Sequence, residues 1–214
     1  MTTLLIAEHD NNSISDSVRK AITAANEIGE QVDILVAGKD CNSVAEEAAK
    51  ISGINKVLIC DHDIYAKHLA EPYADLIVSL SNTYNAFIAP ATTTSKNYMP
   101  RVAALLDVPQ VSDIISVIDN QTFEHPIYAG NAIETVKLLT EKKVITVRAT
   151  AFQAAEEQEA VDIEVVDSAS NPELSEYISE ELTESDRPEL TSAKIIISGG
   201  RGMQSGDNFV LLEA

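Results

Sequence analysis

Basic residues are scarce in this chain. Its 15 lysines and arginines face 34 aspartates and glutamates, giving a formal net charge of −19 and a pI near 4.4. Nucleic-acid binding needs clustered Lys and Arg to meet phosphates, so no nucleic-acid partner is expected. Long apolar runs are missing too: no stretch approaches the roughly 20 residues that a membrane span requires, and direct membrane insertion is not expected. Cysteine is reduced to Cys41 and Cys60, too few for a disulfide framework or a cysteine-based metal site, which fits a reducing compartment. The first residues, MTTLLIAEHD, enter a strand-like pattern without a basic n-region or an Arg/Ser-rich leader. On this reading the chain carries no secretion or organelle address and is expected in a bacterial-type cytoplasm.

What is present is an ordinary globular composition, with 45% apolar and 23% charged residues. The first ninety residues alternate short apolar runs with helical periodicity. LLIAEH reads as a buried strand; SISDSVRKAITAANEIG follows as a helix, with Val18, Ile22, Ala25 and Ile28 on one face and Gly29 as its stop. VDILVAG, KVLICD and AFIAP read as further strands, with helices over NSVAEEAAKISG, ending at Gly53, and HLAEPYADLIVSLSN between them. This rhythm predicts βαβ units: a Rossmann-like layered α/β fold with a mostly parallel sheet and helices on both faces. In ATTTSKNYMPRVAALLD the residue expected to cap the next helix is Ser95, and Pro100 is tolerable only in a first turn or at a kink. From Val111 the texture becomes β-branched and aromatic with short polar breaks, which predicts antiparallel strands and hairpins through residue 150.

Residues 151–191 differ again. From Glu156 to Glu189 there are 13 acidic residues and one basic residue, Arg187. An acidic run of this kind usually forms a solvated face. The expected organisation is an N-terminal α/β domain at 1–150, an acidic connector at 151–191 crossing its surface, and the start of a second α/β domain at 192–214.

That last segment carries the motif with chemistry in it. SGGRGMQSG sets Gly199, Gly200, Gly202 and Gly206 between a strand-like run and a helix-like one. Glycines there let backbone N–H groups approach an anion, and Arg201 adds a planar cation suited to phosphate or to a flavin's anionic edge. Gly206 is followed by Asp207 and Asn208, so this is not a Walker A loop, which needs Lys and then Ser or Thr. It fits the usual dinucleotide fingerprint only loosely.

The stretch KIIISGGRGMQSGDNFVLLEA resembles the start of the FAD-binding domain of electron transfer flavoprotein alpha subunits. KNYMPRVAALLDVPQVSDI (96–114), IYAGNAIETVK (127–137) and VRATAFQAA (147–155) resemble successive segments of the same family's N-terminal domain, in the same order. The resemblance covers the first domain and only the opening corner of the second, so the chain reads as a truncated product, one half of a split protein or an incomplete sequence. It implies FAD as cofactor, its site incomplete in this chain, with Arg201, Gly200 and Gly202 matching the family's cofactor-binding turn. It also implies a heterodimer with a beta subunit. Electrons would pass from flavin dehydrogenases, such as the acyl-CoA dehydrogenases of fatty acid β-oxidation, to a quinone oxidoreductase. The chain would be an electron carrier rather than an enzyme. If the turn holds nothing, the alternative is a flavin-free structural or binding module that only pairs with a partner subunit.

No other constellation supplies chemistry. CDHDIYAKH gathers Cys60, Asp61, His62, Asp63 and His68, but the His62/His68 spacing matches no helical ligand pair, and a surface loop is expected rather than a metal site. ATTTSK follows a strand and precedes a helix, a position where open α/β sheets bind ligands, though an ordinary capped loop reads the same way and the resemblance implies a structural first domain. No Ser-His-Asp, Cys-His or paired-carboxylate arrangement is supported by spacing, so no catalytic residue is assigned.

Overall fold

The computed structural model describes residues 2–167, 170–181, 190, 193 and 195–212. Two compact units result, Met1–Tyr177 and Ile178–Ala214.

The first unit is a seven-stranded sheet. Its first half follows the alternation read from the sequence: β1 (Thr2–Ile6), α1 (Asp16–Ile28), β2 (Gln31–Gly38), α2 (Asn42–Ala48), β3 (Lys56–Asp61), α3 (Ala70–Ser79), β4 (Ala86–Pro90) and α4 (Thr93–Leu105). Then come β5 (Gln110–Ile114), a hairpin region with β6 (Ser116–Val117), β7 (Thr122–Ile127) and β8 (Ala132–Lys137), and finally β9 (Lys143–Val147) and β10 (Ile163–Val165). The strand order is β10-β3-β2-β1-β4-β9-β5, and each neighbouring pair is parallel.

Continuous apolar runs make such strands because both faces are covered. Along β1, Leu5 points into a core with α1 and α2, whereas Leu4 and Ile6 point into a second core with α3 and α4. β2 divides in the same way, Ile34 and Val36 to one side and Leu35 and Ala37 to the other. Side chains alternate with period two, so a run of branched residues feeds two hydrophobic layers at once. The buried carboxylate of Asp33 on β2 is met by Tyr84 Oη at 2.6 Å and Asn55 Nδ2 at 2.8 Å. That answers the requirement that buried polar groups find partners.

Several sequence expectations are corrected. The antiparallel texture after Val111 holds for β6, β7 and β8, which form their own three-stranded sheet. β5 and β9 instead join the main sheet as parallel strands, with β9 wholly buried between β4 and β5. The cap of α4 is Thr92, whose Oγ1 accepts from Ser95 N; Ser95 sits at the third helical position and returns the bond to Thr92 N, completing a capping box. Pro100 lies inside α4 and is exposed, so the Lys96 carbonyl that loses its helical donor faces the solvent side. α2 ends at Ala48, short of Gly53. That glycine has φ +92°, and a Cβ there would lie 2.3 Å from Asn26 Nδ2, so only glycine fits the turn.

Between β9 and β10 the chain is strapped down by its backbone. Ala155 N bonds Arg19 O, Ser52 N bonds Glu156 O, Gln158 N bonds Lys50 O and Val161 N bonds Ala49 O. The strap delivers β10 to the free edge of β3.

Candidate functional site

In the second unit, Gly200 has extended backbone, Arg201–Met203 make one 3-10 turn, and Gly206–Leu212 continue as a 3-10 helix. Ile195, Ile196 and Ile197 are exposed and unpaired among the described residues, where the sequence predicts a strand. An isolated apolar run has no ladder to join, so it forms no strand.

The turn closes by Met203 N to Gly200 O and Gln204 N to Arg201 O. Among the described residues the N–H groups of Arg201 and Gly202 have no acceptor. A Cβ at Gly200 or Gly202 would meet nothing within 4 Å, and the Arg201 side chain is exposed. Two unused backbone donors on an open glycine backbone, beside a guanidinium, fit an anionic group such as a pyrophosphate. Gly199, one of the four glycines of the motif and outside the expected cofactor-binding set, is the tight position. A Cβ there would lie 2.6 Å from Leu212 Cδ1 and 3.1 Å from Phe209 Cε1, so its role is packing the turn against the residues that follow.

In the first unit His62 and His68 make no ring contact with each other among the described residues. His62 is exposed, and its Nδ1 accepts from Ile64 N at 3.2 Å. His68 instead meets His9 edge to face, with ring centroids 5.1 Å apart. His9 follows β1 and His68 precedes α3. Only the parallel sheet, which gathers the carboxyl ends of its strands on one side, brings them together.

The hydrogen bonds fix both tautomers. Tyr73 Oη donates to the Ala37 carbonyl, so His68 Nδ1, 2.9 Å away, donates to Tyr73 Oη. His9 Nδ1 accepts from Asn11 N at 3.1 Å, which places its proton on Nε2. That Nε2 is buried and has no partner among the described residues. Burial, and then the neighbouring His68, pull the His9 pKa down to about 4; the Ala37 carbonyl near the ring offsets this only partly. Burial, followed by Lys67, lowers His68 as well. Both rings are therefore neutral near pH 7.

ATTTSK is no free loop: Thr93 and Thr94 are the first helical residues of α4. Among the described residues no group of three or more His, Cys, Asp or Glu side chains is arranged to hold a metal ion. No described helix is long and apolar enough to cross a membrane.

Residues 3–171 match the electron transfer flavoprotein domain family. The chain is 58% identical over 209 residues to the electron transfer flavoprotein subunit alpha of Bradyrhizobium diazoefficiens, a match covering 98% of this chain and 67% of that protein. To the protein of the same name from Pseudomonas aeruginosa it is 50% identical, covering 100% of this chain and 70% of the relative. To that of Paracoccus denitrificans it is 47% identical, covering 100% and 69%.

Proposed function

The chain belongs to the electron transfer flavoprotein family, and from that premise we propose that it acts as an alpha subunit, carrying electrons through FAD in a heterodimer with a beta subunit. The observation that carries the proposal is a 58% identity running over 98% of the chain, which takes in the glycine turn as well as the α/β domain. The same proposal divides the chain into an α/β domain at 1–150, an acidic connector at 151–191 and the opening of a flavin domain at 192–214.

FAD, when bound, supplies the electron-accepting and electron-donating chemistry. This chain's residues would bind and bias it. The N–H groups of Arg201 and Gly202 and the guanidinium of Arg201 hold an anionic portion of the cofactor, and Gly200 and Gly202 keep the backbone open to it. A fixed positive charge at Arg201 favours whatever negative charge develops beside it. Electrons would arrive from flavin dehydrogenases, including acyl-CoA dehydrogenases, and leave to a quinone oxidoreductase, in the cytoplasm. A surface of net charge −19 would steer which partners approach.

A visible absorbance scan of this chain, alone and co-expressed with a beta subunit, tests the reading. Flavin bands that survive desalting in either sample support it. Two colourless samples would sink it for this chain and favour a flavin-free module that only pairs with a partner. That second reading has its own support in the exposed Ile195–Ile197 run, which pairs with nothing among the described residues.

A further inference from the structure

The loop joining β1 to α1 has its tip at residues 10–13. Among the described residues the tip is tied to other elements through two side chains, Asn11 and Ser43. Ser43 Oγ donates to the Asn12 carbonyl at 3.2 Å. Asn11 does more: its Oδ1 accepts from Lys39 N at 3.0 Å, just after β2, and its Nδ2 donates to the Ala66 carbonyl at 3.3 Å, before α3. One side chain thus joins the loops that follow β1, β2 and β3. The fit is close. A Cβ at Gly38 would lie 2.3 Å from Asn11 Oδ1, and Asn11 holds φ +70°, a conformation asparagine tolerates better than most residues. Asn11 N donates to His9 Nδ1, so the ring behind the tip fixes where that side chain stands.

We propose that His9 is the catch of a pH-sensitive flap, and that a second proton on its ring releases the 10–13 tip from Lys39 and Ala66. At neutral pH the ring carries one proton, on Nε2, and Nδ1 accepts the Asn11 N–H. A second proton can go only on Nδ1, where two donors would then face each other across a hydrogen-bond distance. One of them has to leave. The ring is the fixed partner: it is 8% exposed, stands edge to face with His68, and a Cβ at Gly38 would lie 2.7 Å from its Cε1. Asn12 and Ser13 are exposed, so the tip is the part that yields, and it takes the Asn11 side chain with it. Tyr65, fully buried, keeps the chain before Ala66 in place.

The surroundings of the ring set the sign and the range. Its own stretch brings Glu8 and Asp10. The turn before α3 sets Lys67 and His68 beside it, α3 adds Tyr73 against His68, and Tyr98 of α4 packs on Tyr73. β2 presents the Ala37 carbonyl and Gly38, and α4 presents the neutral Thr93, Thr94 and Asn97. Burial, and then His68, outweigh Ala37 and Asp10, so the closed ring refuses the second proton until about pH 4. Once the tip lifts, His9 titrates near its ordinary 6.5, and acid between those values favours the open form. Below pH 4 both forms hold the proton and the bias grows no further. A two-state element biased by the charge of an imidazole is the general form of a pH switch.

The test uses the 214-residue chain and needs no flavin. Native-state hydrogen exchange is followed by NMR at pH 7 and pH 5, as protection factors, which remove the pH dependence of exchange itself. The Asn11 and Lys39 amides should lose protection roughly twentyfold at pH 5, the ratio that follows from a pKa of 6.5 open and about 4 closed. Both should stay at least about a hundredfold less protected than the sheet amides of Leu35 and Ile88, because the tip opens without the sheet. His9→Gln keeps an acceptor for the Asn11 N–H but does not titrate, and should abolish the change with pH. Asn11→Gly suits the left-handed backbone and removes both ties, and should leave the Lys39 amide unprotected at either pH. Equal protection of Lys39 at pH 7 and pH 5 in the parent would overturn the proposal. So would a His9→Gln protein that keeps the parent's amide spectrum and its full pH dependence. Lys39 protection equal to that of the sheet would do the same, because the tip would then open only when the whole chain unfolds.

Discussion

Two short runs rich in β-branched residues, IEV at Ile163–Val165 and III at Ile195–Ile197, differ as text only at the centre, where the first carries Glu164, and end in opposite states. The first is β10, hydrogen-bonded along β3, with Val57 N to Asp162 O at 2.9 Å and Val166 N to Ile59 O at 2.8 Å. The second pairs with nothing among the described residues, and Ile195 and Ile197 are 83% and 70% exposed. Intrinsic preference does not explain the outcome, since III is β-branched throughout whereas IEV carries Glu164, a residue type depleted in strands. The difference is a neighbour. The strap from Ala149 onward is tied to α1 and to the turn that follows α2 and brings IEV to an open sheet edge, whereas III meets no strand edge among the described residues of its own unit. A strand is thus a relation between segments, and propensity only permits it.

Hydrogen exchange should show the largest contrast. The amides of Val57, Val161 and Val166 should exchange at least about a thousandfold more slowly than those of Ile196 and Ile197, because the former open only with the sheet. Equal rates would erase the comparison. Truncation should follow the same division. Leu35→Ala, in a side chain with no exposure, should cost about 2–5 kcal/mol in denaturant unfolding, and Ile196→Ala within about 0.5 kcal/mol. If Ile196→Ala costs as much as Leu35→Ala, the run is packed against something after all.

These contrasts also mark what the sequence could reveal. The first-half strands were legible because a run such as LLI, buried on both faces, has few other uses. β9 was not: KVITV suits either pairing sense, and only its placement between β4 and β5 decides for parallel. Thr92 and Ser95 are both good caps three residues apart. The sequence shows the pair, and the backbone decides which is the cap. The meeting of His9 with His68 was out of reach, because residues so far apart in sequence are joined only by the sheet. Around the glycine turn the open residues Gly200 and Gly202 could be read as text. The packed one, Gly199, could not, since its constraint comes from Leu212 and Phe209.

The histidine pair extends the contrast to pH. An unfolded His9 titrates near 6.5 and the folded one near 4, so between those values the unfolded chain takes up a proton that the folded chain refuses. Stability should therefore fall as pH drops from 6.5 toward 4 and add no further loss below that. The contribution is on the order of 3 kcal/mol, and His68 acts in the same direction. Thermal midpoints of the parent and His9→Gln across that range give the test: a constant difference would mean that His9 does not titrate with folding. Smaller again is Tyr84→Phe, which takes one donor from buried Asp33 and should cost about 1–3 kcal/mol. No change there would mean that Asn55 alone satisfies the carboxylate.

Arg201→Ala should have the smallest effect on stability and the most specific one on function. The side chain is exposed and the turn closes through backbone atoms, so unfolding should shift by no more than about 0.5 kcal/mol. In a version of the protein extended to the full length of its relatives, the same change should weaken flavin retention or shift the flavin's reduction potential. The two readouts separate the possibilities. A loss of stability together with a loss of flavin would make Arg201 a packing residue whose removal disorders the turn. Unchanged stability, retention and potential would mean that the guanidinium faces no anion. Retained stability with altered flavin would place the charge against the cofactor, and the open glycines on either side would then be what lets the cofactor come that close.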